Sequence, residues 1–175
     1  VPATLDRPAP MPTVEVLDRL PAATFVASVA PLFEGAPTFL ARLAAARPYG
    51  TPDAFFERAE AIARAMPEGA RIELLDAHPR IGAAPAELSA LSRREQRAGA
   101  SVGGLTAELE RLNDDYEARF GFRYCVFVEG RSRADLVPGF REALDRDREA
   151  ELARGLHDVV AIARDRYRRL AEAGR

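Results

Sequence analysis

The stretch Thr51-Pro52-Asp53-Ala54-Phe55-Phe56-Glu57-Arg58-Ala59-Glu60-Ala61-Ile62-Ala63-Arg64-Ala65-Met66 decides the fold class. Phe55, Ala59, Ile62, Ala63 and Met66 recur at the spacing of one helix face, while Glu57, Arg58, Glu60 and Arg64 fall on another. Thr51 offers an N-cap hydroxyl and Pro52 suits the first helical position. The same period continues upstream. Phe25, Val26, Val29 and Leu32 form a stripe between Pro21 and Phe33, with Pro31 disturbing its last turn, and a further helix is expected from about Thr38 to Ala46, halted by Arg47-Pro48. Downstream, helices are expected over 70–77, from Ser92, from about Leu105 to Phe120 with Gly121 as the stop, and from about Arg148 to Ala171. Another begins after Ser132, where Pro138 should kink or shift it. Only Tyr124-Cys125-Val126-Phe127-Val128 reads as extended, being short, β-branched and aromatic. One such segment cannot make a sheet. The expected architecture is therefore all-α: a single compact helical domain over 13–175 with one short buried extended segment. A proline-rich arm, 1–12, precedes it, and Met11 is a candidate natural start.

The bulk composition narrows the function. The 175 residues suit one domain, and 47% hydrophobic with 30% charged residues is ordinary for a globular protein. Every one of the 25 basic residues is arginine, yet the formal net charge is only −2, with acids interleaved among the arginines. That distribution gives no footprint for nucleic acid. Cys125 is the single cysteine, so no internal disulfide is possible, and no Cys/His cluster has the spacing of a metal site. No apolar run is long enough to span a membrane, the N-terminus lacks the charged start and apolar core of a signal peptide, and the C-terminus is not a peroxisomal address. A cytoplasmic protein is expected.

Three polar residues stand in unusual places. His78, one of only two histidines, precedes Pro79, which drives it out of the α region at the end of a helix anchored by Ile72, Leu74 and Leu75. Such a corner can present an imidazole to a cavity for proton transfer; the plainer reading is a cation on the negative end of the helix dipole. Arg166 shares the apolar face of the last helix, within roughly 40° of Leu152, Val159, Ile162 and Leu170, whereas Arg164 and Arg168 point about 160° away. His157 lies opposite Arg166, toward solvent. A guanidinium on that face needs an anion. An internal Asp or Glu would serve, as would snorkelling to the edge or a ligand carboxylate in its planar fork. Glu95 completes Ser92-Arg93-Arg94-Glu95, which fits a capping box at a helix start; with Gln96 it would lie beside backbone N–H groups that can receive ligand atoms.

Taken in order, several motifs resemble the 2-oxo-4-hydroxy-4-carboxy-5-ureidoimidazoline (OHCU) decarboxylase family from about Met11 to Leu170. They are His78-Pro79 with Gly82, Ser92-Arg93-Arg94-Glu95-Gln96 with Ala98-Gly99-Ala100, Leu112-Asn113 with Tyr116, Arg119-Phe120-Gly121-Phe122, Gly130-Arg131-Ser132, and Ile162-Ala163 leading to Arg166. The resemblance implies an all-helical fold, usually dimeric, that needs neither metal nor organic cofactor. Its substrate would be the ureidoimidazoline left when a hydrolase opens 5-hydroxyisourate in uric acid breakdown, and its product (S)-allantoin. Carried over by motif, His78 is expected as the catalytic acid, Glu95 as its acidic companion and Arg166 as the substrate-binding arginine. Pro79, Ser92 and Gln96 would line the site, and Tyr124, Cys125, Val126, Phe127 and Val128 would contribute largely backbone contacts. The chemistry is compatible, because the ring π-system next to the broken bond can take the electron pair, and protonation of one face then fixes the stereochemistry.

Departures from the family pattern are Arg123 where proline is usual, the lack of the usual aromatic residue near Ala44 before Arg47-Pro48, and Pro138. Arg123 puts the path of the strip in question. The alternatives are a non-enzymatic helical domain binding a small anion or a protein partner, or another purine or ureide enzyme. The catalytic reading requires the imidazole, the acid and the cation to border one mostly dry hollow.

Overall fold

Helical periodicity becomes helix wherever the computed structural model describes the chain, namely residues 11–84, 87–96 and 103–173. In order these helices are α1 (Val14–Arg19), α2 (Ala22–Val29), α3 (Pro37–Ala45), α4 (Pro52–Ala65), α5 (Glu68–Asp76), α6 (Ala90–Glu95), α7 (Gly103–Phe120), α8 (Arg133–Ala143) and α9 (Arg148–Ala173), with a 3₁₀ turn at Ala30–Phe33. No strand occurs among the described residues, so the all-α expectation holds. Most of the expected N-terminal arm, residues 1–10, lies outside the described residues, as does Ala98-Gly99-Ala100.

Local sequence sets most boundaries. Thr51 Oγ1 accepts the Ala54 N–H at 3.2 Å, capping α4 as its sequence predicts. Pro31 turns the end of the α2 stripe into the 3₁₀ turn. Ser132 and Asp135 form a reciprocal capping box at the start of α8, which then passes through Pro138 without a break rather than shifting. The Ser92 start is overturned. α6 begins one turn earlier because Ser89 is its N-cap, its Oγ accepting the Ser92 N–H at 3.1 Å. Ser92 is therefore inside the helix and buried, Glu95 is the last helical residue and Gln96 the C-cap. The Glu-Gln pair consequently lies at the carbonyl end, not among exposed N–H groups.

α9 lies against α4, α5 and the 3₁₀ turn, burying Leu152, Leu156, Val159, Ala163 and Leu170. Gly155 permits the close approach of α5, since a Cβ there would stand 3.1 Å from Leu75 Cδ2. α4 buries Phe56 beside Phe55, with Phe56 edge-on to Tyr167 of α9 at 5.7 Å.

The strip 124–128 has no neighbouring strand, so its backbone needs side-chain partners. Arg154 Nη1 donates to Cys125 O at 2.9 Å, the Phe127 N–H is held by Asp158, and Arg131 donates to Phe127 O and Val128 O. Tyr124 stacks on Phe140 at 3.8 Å and meets Tyr116 edge-on, while the Arg154 guanidinium lies over the Tyr124 ring, 4.8 Å from its centroid. Tyr124 and Cys125 are buried as expected; Val126, Phe127 and Val128 are only half-buried, because they form a cavity wall.

Gly82 is the glycine the fold most needs. It adopts φ +84°, and a Cβ there would come 3.0 Å from Leu109 Cδ1 of α7. Gly82→Ala should therefore destabilise the protein by about 1–3 kcal/mol in denaturant unfolding, and an unchanged midpoint would contradict this account.

Candidate active site

α5 ends by placing an imidazole where a carbonyl needs a donor. The last carbonyls of a helix have no partner within it, and here each finds one. Glu73 O accepts the Ala77 N–H, Leu75 O accepts the His78 N–H and the Cys125 thiol, and Asp76 O accepts Arg123 Nη1 at 2.9 Å. Leu74 O is met by the His78 ring Nδ1 at 3.0 Å. A carbonyl can only accept, so Nδ1 carries the proton in this bond. The other nitrogen, Nε2, is buried and meets no protein partner among the described residues.

Burial pushes the His78 ring down, and the nearby Arg166 guanidinium adds to that effect. The bond to Leu74 and the charge of Glu34 offset it only in part, leaving the ring at about 4. His78 is thus neutral near pH 7, with a bare Nε2. The helix-dipole cation reading fails for this reason: desolvation outweighs the dipole.

Surrounding elements fix the corner after His78. Arg123 Nη1 also donates to His78 O at 3.0 Å, and the Arg123 N–H donates to Asp76 Oδ1 at 2.9 Å. The departure that put the strip's path in question ties the strip to the histidine. From α6, Gln96 accepts the Gly82 N–H at 3.0 Å and donates to Arg80 O. From α7, Asn113 donates to Ile81 O at 3.0 Å, and Glu117 and Asp114 hold Arg80.

Arg166 is almost wholly buried, its side chain 1% exposed. Nε and Nη2 clasp Glu95 at 2.8 and 2.9 Å, and Nη2 also donates to Glu34 Oε1 at 2.8 Å and Ser92 Oγ at 3.0 Å. Nη1 donates to the carbonyls of Pro31 and Leu32. Of the possible anions, internal carboxylates therefore meet this guanidinium. Burial would raise the Glu34 carboxyl, but Arg166 and the hydroxyls of Ser92 and Ser89 more than compensate, holding it below its ordinary range.

His78, Glu95 and Arg166 border a cavity of about 690 Å³. Its lining includes His78, Pro79, Ser92, Glu95, Gln96, Arg166 and the whole strip Tyr124, Cys125, Val126, Phe127 and Val128. Each side chain expected to form the site thus lines this one cavity. Arg164 and Arg168 are exposed as the helical wheel requires, yet they also line this space with Arg94 and Arg169. His157 is exposed and pairs with Glu60 at 3.0 Å, away from the cavity. Among the described residues, no cluster of histidine, cysteine or carboxylate side chains could hold a metal ion, and no helix is long and apolar enough to cross a membrane.

Sequence reasoning missed Glu34, Arg154 and Asp158. Glu34 gives no local signal, because it sits 132 positions from Arg166 on a short turn. Arg154 and Asp158 do carry one, being an i, i+4 ion pair at 2.8 Å on the last helix.

The OHCU decarboxylase family model matches residues 18–168. The chain is 28% identical to the uric acid degradation bifunctional protein PucL of Bacillus subtilis, over 88% of this chain but 32% of that one, so it spans about a third of that relative's length. It is 29% identical to the 2-oxo-4-hydroxy-4-carboxy-5-ureidoimidazoline decarboxylase of Haloferax volcanii, covering 86% of this chain and 91% of the relative. The fold is similar to a crystal structure of OHCU decarboxylase in the presence of (S)-allantoin, with TM-score 0.66, 23% identity and coverage of 82% and 96% of the two chains. It is also similar to a crystal structure of (S)-allantoin synthase, with TM-score 0.65, 19% identity and coverage of 91% and 54%.

The geometry at His78 predicts its titration. Long-range ¹H–¹⁵N spectra at neutral pH should show the Nδ1–H tautomer, with protonation only near pH 4. In the unfolded chain the ring titrates near its ordinary 6.5, so the unfolded state binds the proton first as the solution is acidified. The ring's contribution is fully present above 6.5, is lost as the pH falls toward 4, and is constant below that; it amounts to about 3 kcal/mol. A ring that protonates near 6.5 in the folded protein would overturn this assignment.

Proposed function

Because the chain belongs to the OHCU decarboxylase family, we propose that it decarboxylates 2-oxo-4-hydroxy-4-carboxy-5-ureidoimidazoline to (S)-allantoin in uric acid degradation. The observation that carries this reading is the neutral, buried His78, which lines the same cavity as the Glu95–Arg166 pair and whose Nε2 has no hydrogen-bond partner among the described residues.

Loss of carbon dioxide from carbon 4 leaves an electron pair that the adjacent ring π-system accepts. The 4-hydroxyl must then give up its proton as a carbonyl forms, and carbon 5, which bears the ureido group, must gain one on a single face. A neutral imidazole can do both in turn. Nε2 takes the hydroxyl proton, becomes briefly cationic and delivers the proton to carbon 5, returning to its starting state. One proton from water completes the balance, since loss of carbon dioxide from a carboxylate consumes one. His78 thus serves as the acid expected from the family only after first acting as a base.

Glu95 is held by both oxygens to Arg166, so it is supported to orient the substrate's hydroxyl or ureido N–H groups rather than the His78 ring. Arg166 holds that carboxylate in place and sets a fixed positive charge at the floor. Ser92 and Gln96 add polar lining, Pro79 shapes the corner, and the half-buried Val126, Phe127 and Val128 favour release of a neutral gas by excluding water. The reading includes a small ureidoimidazoline as partner, no organic cofactor, a homodimer and a cytoplasmic setting; light scattering tests the dimer.

Freshly generated OHCU should decay faster with the protein and yield allantoin of one optical sign, followed by circular dichroism. His78→Asn should lower turnover by about a hundred- to ten-thousandfold with the helical spectrum intact. Binding without accelerated, stereospecific decay would instead support a ligand-binding domain, and wild-type turnover in His78→Asn would remove the histidine from the mechanism.

A further inference from the structure

Glu34 is a carboxylate, its side chain 10% exposed, that the mechanism above does not use, and it lies outside the cavity lining. It terminates the 3₁₀ turn with φ +51°, a left-handed conformation that a long side chain adopts at a cost of about 1 kcal/mol. Three donors converge on its Oε1: Arg166 Nη2 at 2.8 Å, Ser89 Oγ at 2.9 Å and Ser92 Oγ. Ser89 and Ser92 are the N-cap and an interior residue of α6, the helix that carries Glu95 one turn further on. The same turn gives Arg166 Nη1 the carbonyls of Pro31 and Leu32. One oxygen therefore locates Glu95 by two routes, through its helix and through the guanidinium that clasps it.

We propose that Glu34 is a positioning residue for the reaction: from outside the cavity lining, its Oε1 fixes Arg166 and α6 together and so sets where the Glu95 carboxylate stands. This rests on the function proposed above. Position rather than charge is what the convergence requires. With a neutral acceptor in its place, Arg166 and Glu95 would remain a one-to-one pair with no net charge, whereas a withdrawn carboxylate would leave three donors without their shared acceptor.

Two variants separate these roles. Glu34→Gln keeps an oxygen at Oε1 and removes the charge; Glu34→Asp keeps the charge, tolerates the backbone conformation and withdraws the oxygen by about 1.5 Å. We expect Glu34→Asp to lower kcat by about tenfold to a hundredfold with KM within about threefold, and Glu34→Gln to stay within about threefold of the wild type. Crystal structures of the two variants should show the Glu95 carboxylate displaced by about 1 Å in the aspartate form and unmoved in the glutamine form. If the wild type turns over and any other ranking is found, the proposal is overturned. If the wild type itself fails to act on OHCU, the function falls and the crystal structures alone decide, an unmoved Glu95 in Glu34→Asp overturning the positioning role.

Discussion

The architecture of the site depends on a guanidinium taken out of water. Arg166 projects from the apolar face of α9 among Leu152, Val159 and Leu170, where an unpaired charge would cost several kcal/mol. Satisfying it recruits the end of the 3₁₀ turn through Pro31, Leu32 and Glu34, and α6 through Ser92 and Glu95. A planar fork with fixed donor directions admits few arrangements of those segments, so one residue orients three parts of the chain. The same charge, close to His78, helps keep that ring neutral. The guanidinium that clasps Glu95 therefore also acts on the His78 ring.

The strip along the cavity solves a different problem. An extended strip without a sheet must find partners for its peptide groups, and arginines supply them: Arg154 at Cys125 O, Arg131 at Phe127 O and Val128 O. Arg154 is in turn held by Glu151, which is fully buried and also accepts the Tyr116 hydroxyl at 2.8 Å. Arg123 then ties the strip to the carbonyls of Asp76 and His78. The backbone corner that carries the imidazole is thus bonded directly to the residue that leads into the apolar strip.

Much of this was legible before any coordinates. Helical spacing, the Thr51 and Ser132 caps, the Gly121 stop and the misplaced Arg166 are local or periodic signals, and each survives in the fold. The Ser92 reading failed because two serines three positions apart, Ser89 and Ser92, both have the chemistry of a cap, and a local rule cannot choose between them. Burial decided: Ser92 Oγ is drawn inward to Glu34 and Arg166, leaving Ser89 to cap. Val126, Phe127 and Val128 read as core because apolar type does not distinguish a filled interior from the wall of a hollow.

By itself the sequence determined the helical class, the places where helices stop, and the types of side chain available for proton transfer and charge pairing, since these follow from backbone preference and residue period. Only the tertiary structure decided that His78 is neutral, that Glu34 shares Arg166 with Glu95, and which ring nitrogen is bare. Those properties depend on desolvation and on partners as many as 132 positions apart, and neither is a function of neighbouring residues.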